Sequence, residues 1–266
     1  MDEIRGRVAV VTGGGDGIGR GIAHALAAAG ARVAVADIDA GAVERVAGEI
    51  GGEARAFQVD VSVAAEMVRL ANEVDAALGP ASILCNNAGV MLDGQLVGAP
   101  ANDWEWVLRV NLMGVVHGVE AFVPGMRSAG NGGQIVNTGS MAGLAPRLGS
   151  RLGIYSASKA AVVSYSEMIR AELEGEGIGV SVLCPSTVNT RIWEADRNRP
   201  ETLGPGRPVP RPERIAGAID GFAVGPLVVR GIQENRPYIF TGDDVRRRIE
   251  ERFARIEDDI TRHEAG

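Results

Sequence analysis

The segment that decides the fold reads Arg7-Val8-Ala9-Val10-Val11-Thr12-Gly13-Gly14-Gly15-Asp16-Gly17-Ile18-Gly19. Its first five residues form an apolar run that predicts a buried strand. The Ala-rich stretch from Arg20 to Ala29, followed by Gly30, predicts a helix with a glycine at its end. Glycines between a strand and a helix let the backbone approach a phosphate, and the helix N-terminus attracts it. The spacing is G-x-x-x-G-x-G instead of the usual G-x-G-x-x-G, so the flanking strand and helix carry the prediction of a phosphate-binding turn.

A second strand, residues 32–36, ends at Asp37, about 20 residues beyond the glycine turn. An acidic residue at this point suits a hydrogen bond to the ribose hydroxyls of a dinucleotide and repels a 2′-phosphate. Ile38 adds no positive charge, and Asp16 inside the turn is acidic, so the pattern favours NAD over NADP. The alternative is that Asp37 merely starts the turn formed with Ile38 and Asp39.

Strands and helices alternate along the rest of the chain. Further strands are predicted at 54–59, 82–85, 134–137, 180–184 and 238–240. Helices are predicted at 40–50, from a Ser62 cap to about Leu78, from an Asp103 cap over about 104–128, from Tyr155 to about Glu174, at about 212–221 and 227–234, and from an Asp243 cap to about Arg262. Residues 191–212 are predicted to form a mobile loop with short helical pieces. The pattern indicates the α/β class: one domain over residues 1–266, with a single doubly wound parallel sheet of seven strands and helices on both faces.

The helix predicted from Tyr155 places Tyr155 and Lys159 one turn apart on the same face. A phenol has a pKa of about 10, and a nearby ammonium favours the phenolate and lowers that pKa. The pair is therefore a candidate proton-transfer device. Seen alone, such a pair is more often a surface tyrosine and lysine on an amphipathic helix.

Other polar residues stand where strands end. The asparagines of Asn86-Asn87-Ala88-Gly89 can tie neighbouring strands together or form a turn. Ser140 follows a central strand, at the edge where such sheets bind ligands. Asn111 lies in the middle of a predicted helix; it either points to solvent or, if functional, pulls the helix out of register and holds a water.

The composition limits the partners. Hydrophobic residues make up 45% and charged residues 23%, with a formal net charge of -7, so a soluble globular protein is expected and nucleic acid is an improbable partner. No apolar run approaches the roughly 18 residues of a membrane span, and the charged N-terminus predicts no signal peptide. Cys85 and Cys184 lie in apolar runs and predict reduced core residues of a cytoplasmic protein. The three histidines have no metal-ligand spacing, so no metal is expected.

These motifs together resemble the classical short-chain dehydrogenase/reductase family over nearly the full chain, with a Rossmann fold as the implied architecture. The resemblance is carried by the glycine turn, Asp60, Asn86-Asn87-Ala88-Gly89, Asn111, Ser140 and Tyr155-x-x-x-Lys159.

The resemblance implies four catalytic residues. Tyr155 would exchange a proton with the substrate oxygen, and Lys159 would bind the nicotinamide ribose and lower the tyrosine pKa. Ser140 would hold the substrate oxygen, and Asn111 would hold a water linking Lys159 to solvent. It also implies cofactor contacts, which for NAD would be made by Gly13, Gly15, Asp16, Gly17, Ile18, Gly19, Asp37, Ile38, Asp60, Val61, Asn87, Ala88, Gly89, Tyr155, Lys159, Pro185, Ser186, Val188 and Thr190.

The sequence departs from the family in two places. Ser186 stands where the family usually has glycine, and the segment 144–154 is about two residues longer than usual. Both departures border the expected substrate site, so they leave the substrate open.

The function expected from the resemblance is a NAD-dependent alcohol dehydrogenase or ketone reductase acting on a small molecule. The alternatives are an NADPH-dependent carbonyl reductase and a catalytically silent dinucleotide sensor.

A lid at about 190–212 and partial likeness to bacterial dehydrogenases of aryl-bearing alcohols favour a bulky secondary alcohol. Aliphatic residues such as Leu144, Leu148, Leu152 and Ile192, with Trp193, would line its pocket. Arginines 147, 151 and 191 raise the alternative of an anionic substrate, unless they are solvated or paired with acids such as Glu194 and Asp196.

The helices at 104–128 and from Tyr155 predict a homodimer or homotetramer.

Overall fold

A seven-stranded parallel sheet forms the centre of the structure, as the sequence predicts. The computed structural model describes residues 3–206, 209–210, 215 and 218–264. The strands of the sheet are β1 (Val8–Thr12), β2 (Arg32–Asp37), β3 (Arg55–Gln58), β4 (Ala81–Asn86), β5 (Gly133–Thr138), β6 (Ile178–Cys184) and β9 (Tyr238–Phe240). A separate parallel pair, which the sequence did not reveal, consists of β7 (Val188–Asn189) and β8 (Ile219–Asp220). The single-domain organisation over residues 1–266 stays a prediction.

Helices cover the sheet between successive strands. They are α1 (Gly17–Ala28), α2 (Ala40–Ile50), α3 (Ala64–Leu78), α4 (Ala101–Leu108), α5 (Gly114–Ala129), α6 (Met141–Leu144), α7 (Gly153–Leu173), α8 (Gly221–Gln233) and α9 (Val245–Glu264). A π-helical turn, Arg109–Met113, joins α4 to α5, and 3₁₀ turns cover Glu174–Glu176, Arg191–Asn198 and Glu201–Leu203.

The strand order places the functional edge. The order is β3-β2-β1-β4-β5-β6-β9, so the chain runs outward from β1 in one direction and then returns to build the other half beside β1. Thr12 pairs with Ala36 of β2 on one side, and Val11 pairs with Cys85 of β4 on the other. The crevice beyond the carboxyl ends of β1 and β4 is the point where ligands bind in sheets of this kind.

Two separate hydrophobic cores show why both faces of the sheet are covered. On one face, α3, α5 and α7 contribute Leu70, Phe122 and Ile169 to the first core. On the other face, α1, α2 and α8 bury Ile22, Val43 and Val228. The free cysteines, Cys85 in β4 and Cys184 in β6, are both buried.

Two predicted helix caps, Ser62 and Asp103, are wrong. Helix α3 begins after Val63 instead of a Ser62 cap, and no side chain caps it. Helix α4 begins after Pro100, so Asp103 lies in its first turn and is not its cap. Asp103 is instead buried in an ion pair with Arg199. A local capping pattern predicts a helix start, but here a tertiary ion pair uses the same carboxylate.

The region around residue 220 also differs from the prediction. Half of the helix predicted at 212–221 lies outside the described residues. Its described end contains the short strand β8. Helix α8 begins at Gly221, six residues earlier than predicted, with Asp220 accepting a hydrogen bond from the Phe222 N–H. It continues through Pro226. It also packs closely on α1, where a Cβ at Gly225 would lie 2.3 Å from the Gly21 carbonyl oxygen.

One helical stretch, Ala101–Ala129, is long and apolar enough to cross a membrane by length and composition alone. The expectation that no apolar run reaches membrane length is therefore wrong for this stretch. Half of its apolar 18-residue window is buried inside the structure, and α5 packs Phe122 and Met126 into a core against the sheet. Burial of this kind is expected of a core helix.

Candidate active site

A cavity of about 300 Å³ opens at the carboxyl ends of the central strands. Its lining comes from both halves of the sheet, because the crevice lies where the strand order reverses. The predicted site residues that line it are Gly13, Asp16, Gly17, Ile18, Asp37, Ile38, Asp60, Val61, Asn87, Ala88, Gly89, Ser140, Tyr155, Lys159, Pro185, Ser186, Val188 and Thr190.

Three predicted residues support the cavity from behind. A Cβ at Gly15 would lie 2.7 Å from the Ala42 Cβ, and one at Gly19 would lie 2.0 Å from the Gly13 carbonyl oxygen, so both glycines permit close packing of the turn. Asn111 is fully buried. Among the described residues, no three His, Cys, Asp or Glu side chains are grouped so that they could hold a metal ion.

The glycine turn holds the N-terminus of α1 open toward the cavity. Asp16 caps the helix by accepting a 2.7 Å hydrogen bond from the Gly17 N–H through Oδ1. Its other oxygen, Oδ2, is buried and accepts no hydrogen bond. Gly13 has a φ of 63°, and a Cβ there would lie 2.8 Å from the Ala88 Cα. An acceptor without a donor beside a helix N-terminus fits a dinucleotide, whose ribose hydroxyls donate and whose phosphates accept.

Asp37 holds the edge of this site. Its carboxylate accepts hydrogen bonds from the Gly15 N–H (3.1 Å) and the Asp39 N–H (3.2 Å), so it does start a turn as well as line the cavity. Burial raises the pKa of Asp37, and backbone hydrogen bonds from Asp39, Gly15 and Ile38 partly offset the rise. Sequence reasoning missed Arg45, whose guanidinium donates to the Gly15 carbonyl at 2.9 Å.

The two asparagines at the end of β4, Asn86 within the strand and Asn87 directly after it, tie three strands together. This is one of the two alternatives that the sequence predicts. The Asn87 amide donates to the carbonyls of Thr12 (3.1 Å) and Gly13 (3.2 Å). The Asn86 amide donates to Asn137 Oδ1 at 2.9 Å, which links β4 to β5. These bonds fix the strand ends from which the cavity is built.

Asn111 lies in the π-helical turn. The helix is therefore out of its α-helical register at Asn111, which is one of the two alternatives predicted for this residue. The Gly114 N–H bonds the Arg109 carbonyl five residues back. The Asn111 side chain accepts from the Val90 N–H (2.8 Å) and donates to the Val90 carbonyl (2.9 Å) and Ser158 Oγ (3.0 Å). It therefore fixes the segment after β4. Its expected role in holding a water stays a prediction.

Tyr155, Lys159 and Ser140 meet in the cavity. Lys159 Nζ donates to the Thr138 carbonyl at 2.7 Å and lies 5.9 Å from the centre of the Tyr155 ring. Burial lowers the pKa of Lys159 to about 8. Burial also raises the pKa of Tyr155, and a hydrogen bond with Ser140 offsets part of the rise. The expected lowering of the Tyr155 pKa is therefore wrong for the protein by itself, because desolvation of the phenolate dominates.

Helix α6 holds Ser140 in place. Ser140 caps α6 by accepting from the Ala142 N–H at 3.0 Å. The carbonyls at the other end of this short helix are held by two arginines of α9: Arg248 donates to Met141 and Ala145, and Arg252 donates to Leu144. Sequence reasoning missed these arginines, since nothing local shows that α9 returns to α6.

The two departures from the family pattern bond to one carboxylate. Ser186 Oγ donates to Asp244 Oδ1 at 2.8 Å, and Arg147 of the longer 144–154 segment donates to Asp244 Oδ2 at 3.0 Å. Burial alone would raise the pKa of Asp244, but the hydrogen bonds from Ser186 and Arg147 and the charge of Arg248 hold it below its ordinary value.

The lid, defined as the described residues 190–206, is anchored on α4. Arg199 and Asp103 form an ion pair of 2.9 Å with both side chains 4% exposed. Arg199 also lies 5.2 Å from the Trp106 ring centre and donates to the carbonyls of Leu203 and Gly204. Trp106 lines the cavity, so the anchor connects the lid to the cavity wall.

The arginines considered for an anionic substrate have acidic partners. Arg147 pairs with Asp244, Arg151 with Asp93 at 2.7 Å, and Arg191 with Glu194 at 2.9 Å. Of the acids expected from the sequence, Glu194 is one of these partners, whereas Asp93 and Asp244 come from distant parts of the chain. Of the residues expected to line a substrate pocket, Leu152, Ile192 and Trp193 line the cavity. The prediction is wrong for Leu144, which packs against a hydrophobic cluster, and for Leu148, which is 74% exposed.

Comparisons with known proteins give a consistent result. The family model for short chain dehydrogenase matches residues 7–201. Over 272 residues the chain is 36% identical to the C alpha-dehydrogenase of Sphingobium sp., covering 98% of this chain and 88% of that protein.

Solved structures match as well. A short chain dehydrogenase/reductase from Burkholderia phymatum, in complex with NAD, has a TM-score of 0.89 and 38% identity, and the match covers 97% of both chains. A metagenomic short-chain oxidoreductase in complex with NADP has a TM-score of 0.64 and 34% identity over 70% of this chain and 84% of that one.

Proposed function

The chain belongs to the short-chain dehydrogenase family, and on that premise we propose that it is a NAD-dependent dehydrogenase/reductase of bulky secondary alcohols and ketones. The observation that carries the proposal is the convergence of Tyr155, Ser140 and Lys159 in the cavity that the glycine turn borders. A phenol, a hydroxyl and an ammonium at one point can position and protonate an alcohol or carbonyl oxygen.

Each residue has a part in this chemistry. Tyr155 exchanges a proton with the substrate oxygen, and Ser140 hydrogen-bonds the same oxygen. Lys159 binds the nicotinamide ribose, and below its pKa of about 8 its ammonium places a positive charge in the cavity near Tyr155. Asn111 positions the Val90 segment and a water that connects Lys159 to solvent. Bound NAD supplies the hydride acceptor at nicotinamide C4, and the protein supplies position and proton.

The choice of NAD rests on Asp37. A carboxylate at the ribose accepts a 2′-hydroxyl and repels a 2′-phosphate. Arg45 donates a hydrogen bond to the carbonyl of Gly15 in the glycine turn and lies 3.7 Å from Glu49. Arg45 is the feature that favours the runner-up, an NADPH-dependent carbonyl reductase, and comparing kcat/KM for NAD and NADP separates the two.

The test of the catalytic assignment uses two tyrosines of one helix. We expect Tyr155→Phe to lose nearly all turnover and to keep NADH affinity, because its hydroxyl acts on the proton. Tyr165→Phe, on the same helix, is the control and should keep its activity. A kcat of Tyr155→Phe above a tenth of the wild-type value would contradict the assignment of Tyr155 as the proton-transfer residue. Lack of NADH formation at 340 nm with every secondary alcohol, despite NADH binding, would favour the silent sensor.

The pH dependence should follow the tyrosine. Burial holds the pKa of Tyr155 above its ordinary 10.0. Alcohol oxidation needs the phenolate, so its rate should rise with pH over the alkaline range. Ketone reduction needs the phenol and should persist there. An oxidation rate that is independent of pH between 7 and about 10 would contradict Tyr155 as the base.

A bulky neutral substrate is favoured by the apolar lining and by the occupied arginines. We expect a bulky secondary alcohol to have a kcat/KM far above that of 2-propanol, with little salt dependence. The alternative of an anionic substrate predicts a requirement for a carboxylate or phosphate. It also predicts a steep loss in Arg147→Ala or Arg151→Ala.

The assembly we propose is a homodimer or homotetramer with closed symmetry. Support comes from large apolar side chains left at the surface along the helices concerned: Met113 is 39% exposed, and Met168 on α7 is 63% exposed.

A further inference from the structure

The first residues of the lid lie directly on the glycine turn. Gly17 has a φ of 51°, and a Cβ there would lie 3.0 Å from Thr190 Cγ2. Thr190 in turn caps the 3₁₀ turn that begins the lid, by accepting from the Ile192 N–H. Arg191 follows Thr190 directly in the sequence and is therefore held beside the N-terminus of α1. This is the place where a dinucleotide binds its diphosphate.

The Arg191 side chain forms two ion pairs at this place. Its Nη1 lies 3.8 Å from Asp16 Oδ2, the oxygen that accepts no hydrogen bond, and its Nε lies 2.9 Å from Glu194. The side chains of all three residues are more than a third exposed. Exposed ion pairs are worth about 1 kcal/mol or less, so Arg191 can exchange these partners for a stronger anion at little cost.

The turn is acidic, because Asp16 and Asp37 line the cavity there. A cation beside the helix N-terminus would offset their charge and favour a diphosphate. The other cations among the described residues of the cavity lining are committed elsewhere. Lys159 and Arg248 bond buried carbonyls, Arg147 pairs with Asp244, and Arg197 donates to the carbonyls of residues 191 and 194. Arg191 is the remaining one, and a guanidinium matches phosphate oxygens in two-pronged geometry.

We propose that Arg191 binds the diphosphate of the dinucleotide, exchanging Asp16 and Glu194 for phosphate oxygens. Because Arg191 opens the lid segment, this contact also couples cofactor binding to the position of the lid. The inference rests on the proposed function, since it needs a dinucleotide in the cavity.

The experiment measures equilibrium binding of NADH and of ADP-ribose by calorimetry, apart from turnover. Arg191→Ala should weaken both ligands by tenfold or more, because they share the diphosphate, and Arg191→Lys should recover part of the loss. Glu194→Gln should bind NADH more tightly, since a competing carboxylate charge is gone. The control is Arg151→Ala, which removes an exposed, acid-paired arginine that is absent from the cavity lining.

The outcomes separate the two proposals. If wild type binds neither ligand, the proposed function fails. If wild type binds NADH and Arg191→Ala binds it within twofold at an unchanged melting temperature, the Arg191 assignment is overturned. Loss of NADH affinity without loss of ADP-ribose affinity would also overturn it. Added salt should weaken binding to wild type more than to Arg191→Ala.

Discussion

The hydroxyl of Ser186, just after β6, donates a 2.8 Å hydrogen bond to the carboxylate of Asp244, just before α9. Glycine, the usual residue at position 186, could not make this bond. We expect Ser186→Gly to lower the free energy of unfolding by about 1 kcal/mol. Asp244→Asn should cost more, because it also removes the charge opposite Arg147 and Arg248. Urea unfolding measures both variants.

The pH dependence of that difference tests the charge of Asp244. Its folded pKa lies below the ordinary value of 3.8. A lowered carboxyl pKa contributes stability that is present above the unfolded pKa and is lost as pH falls through the folded value. The gap between wild type and Asp244→Asn should therefore be full at pH 7 and shrink below about pH 4. A constant gap would show that packing, not charge, causes it.

Burial of the charged Lys159 side chain should lower the free energy of unfolding. Its pKa falls from 10.5 to about 8 through burial, so the charged form is disfavoured in the folded state. The cost is full below pH 8 and vanishes as pH rises to the unfolded value. We expect Lys159→Met to be more stable at pH 7 by up to about 3 kcal/mol, less what is lost with the Thr138 bond, and inactive.

Direct titration can check the same value. Lys159 is the single lysine of the chain. Labelled lysine therefore gives one side-chain NMR signal, free of overlap from the arginines. A midpoint near pH 8 is expected. A midpoint near 10.5 would contradict the effect of burial and remove the reason for the stability gain.

Asp37 should set the cofactor preference. We expect wild type to prefer NAD over NADP by at least a hundredfold in kcat/KM, which is about 2.7 kcal/mol. Asp37→Ala should remove most of that gap, because the carboxylate that accepts the 2′-hydroxyl and repels a 2′-phosphate is gone. Steady-state kinetics with both cofactors measure it. Equal efficiency in wild type would show that Asp37 does not act at the ribose.

The buried pair of Arg199 and Asp103 should anchor the lid. Removal of one partner from a buried ion pair costs about 3–5 kcal/mol, since the other charge stays buried. We expect Arg199→Met to unfold at lower urea and to raise KM for a bulky alcohol more than for 2-propanol. The control is Arg246→Ala, whose pair with Glu250 is highly exposed and should contribute little. Equal changes in the KM for the bulky alcohol and for 2-propanol would contradict a role of the Arg199–Asp103 pair in anchoring the lid.

Assembly should depend on the outer face of α7. The chain mass is 27.8 kDa, and light scattering at micromolar concentration should give twice or four times that value. Met168→Glu should reduce the mass, because a charge replaces an apolar contact. Val68→Glu, at a side chain of similar exposure on α3 (53%), is the control. A monomer mass for wild type would refute the proposed assembly.

The sequence by itself determined the sheet and the main site. Buried strands and the glycine turn are local patterns: period, β-branched content and glycine spacing act within a few residues. The seven strands and the cavity lining by Gly13, Tyr155 and Lys159 therefore follow from short stretches. The resemblance to the family likewise depends on the order of those stretches along the chain.

Tertiary structure alone decided the contacts that shape the pocket. Ser186 and Asp244 are 58 residues apart, and Arg147 and Asp244 are 97 apart. Asp103 matched a helix-cap pattern, yet the approach of Arg199 gives it another partner. The pKa of Tyr155 shifts opposite to the expectation from Lys159 because burial removes water from the phenol. Desolvation and long-range pairing depend on what the whole chain brings near a group, and sequence neighbours do not contain that information.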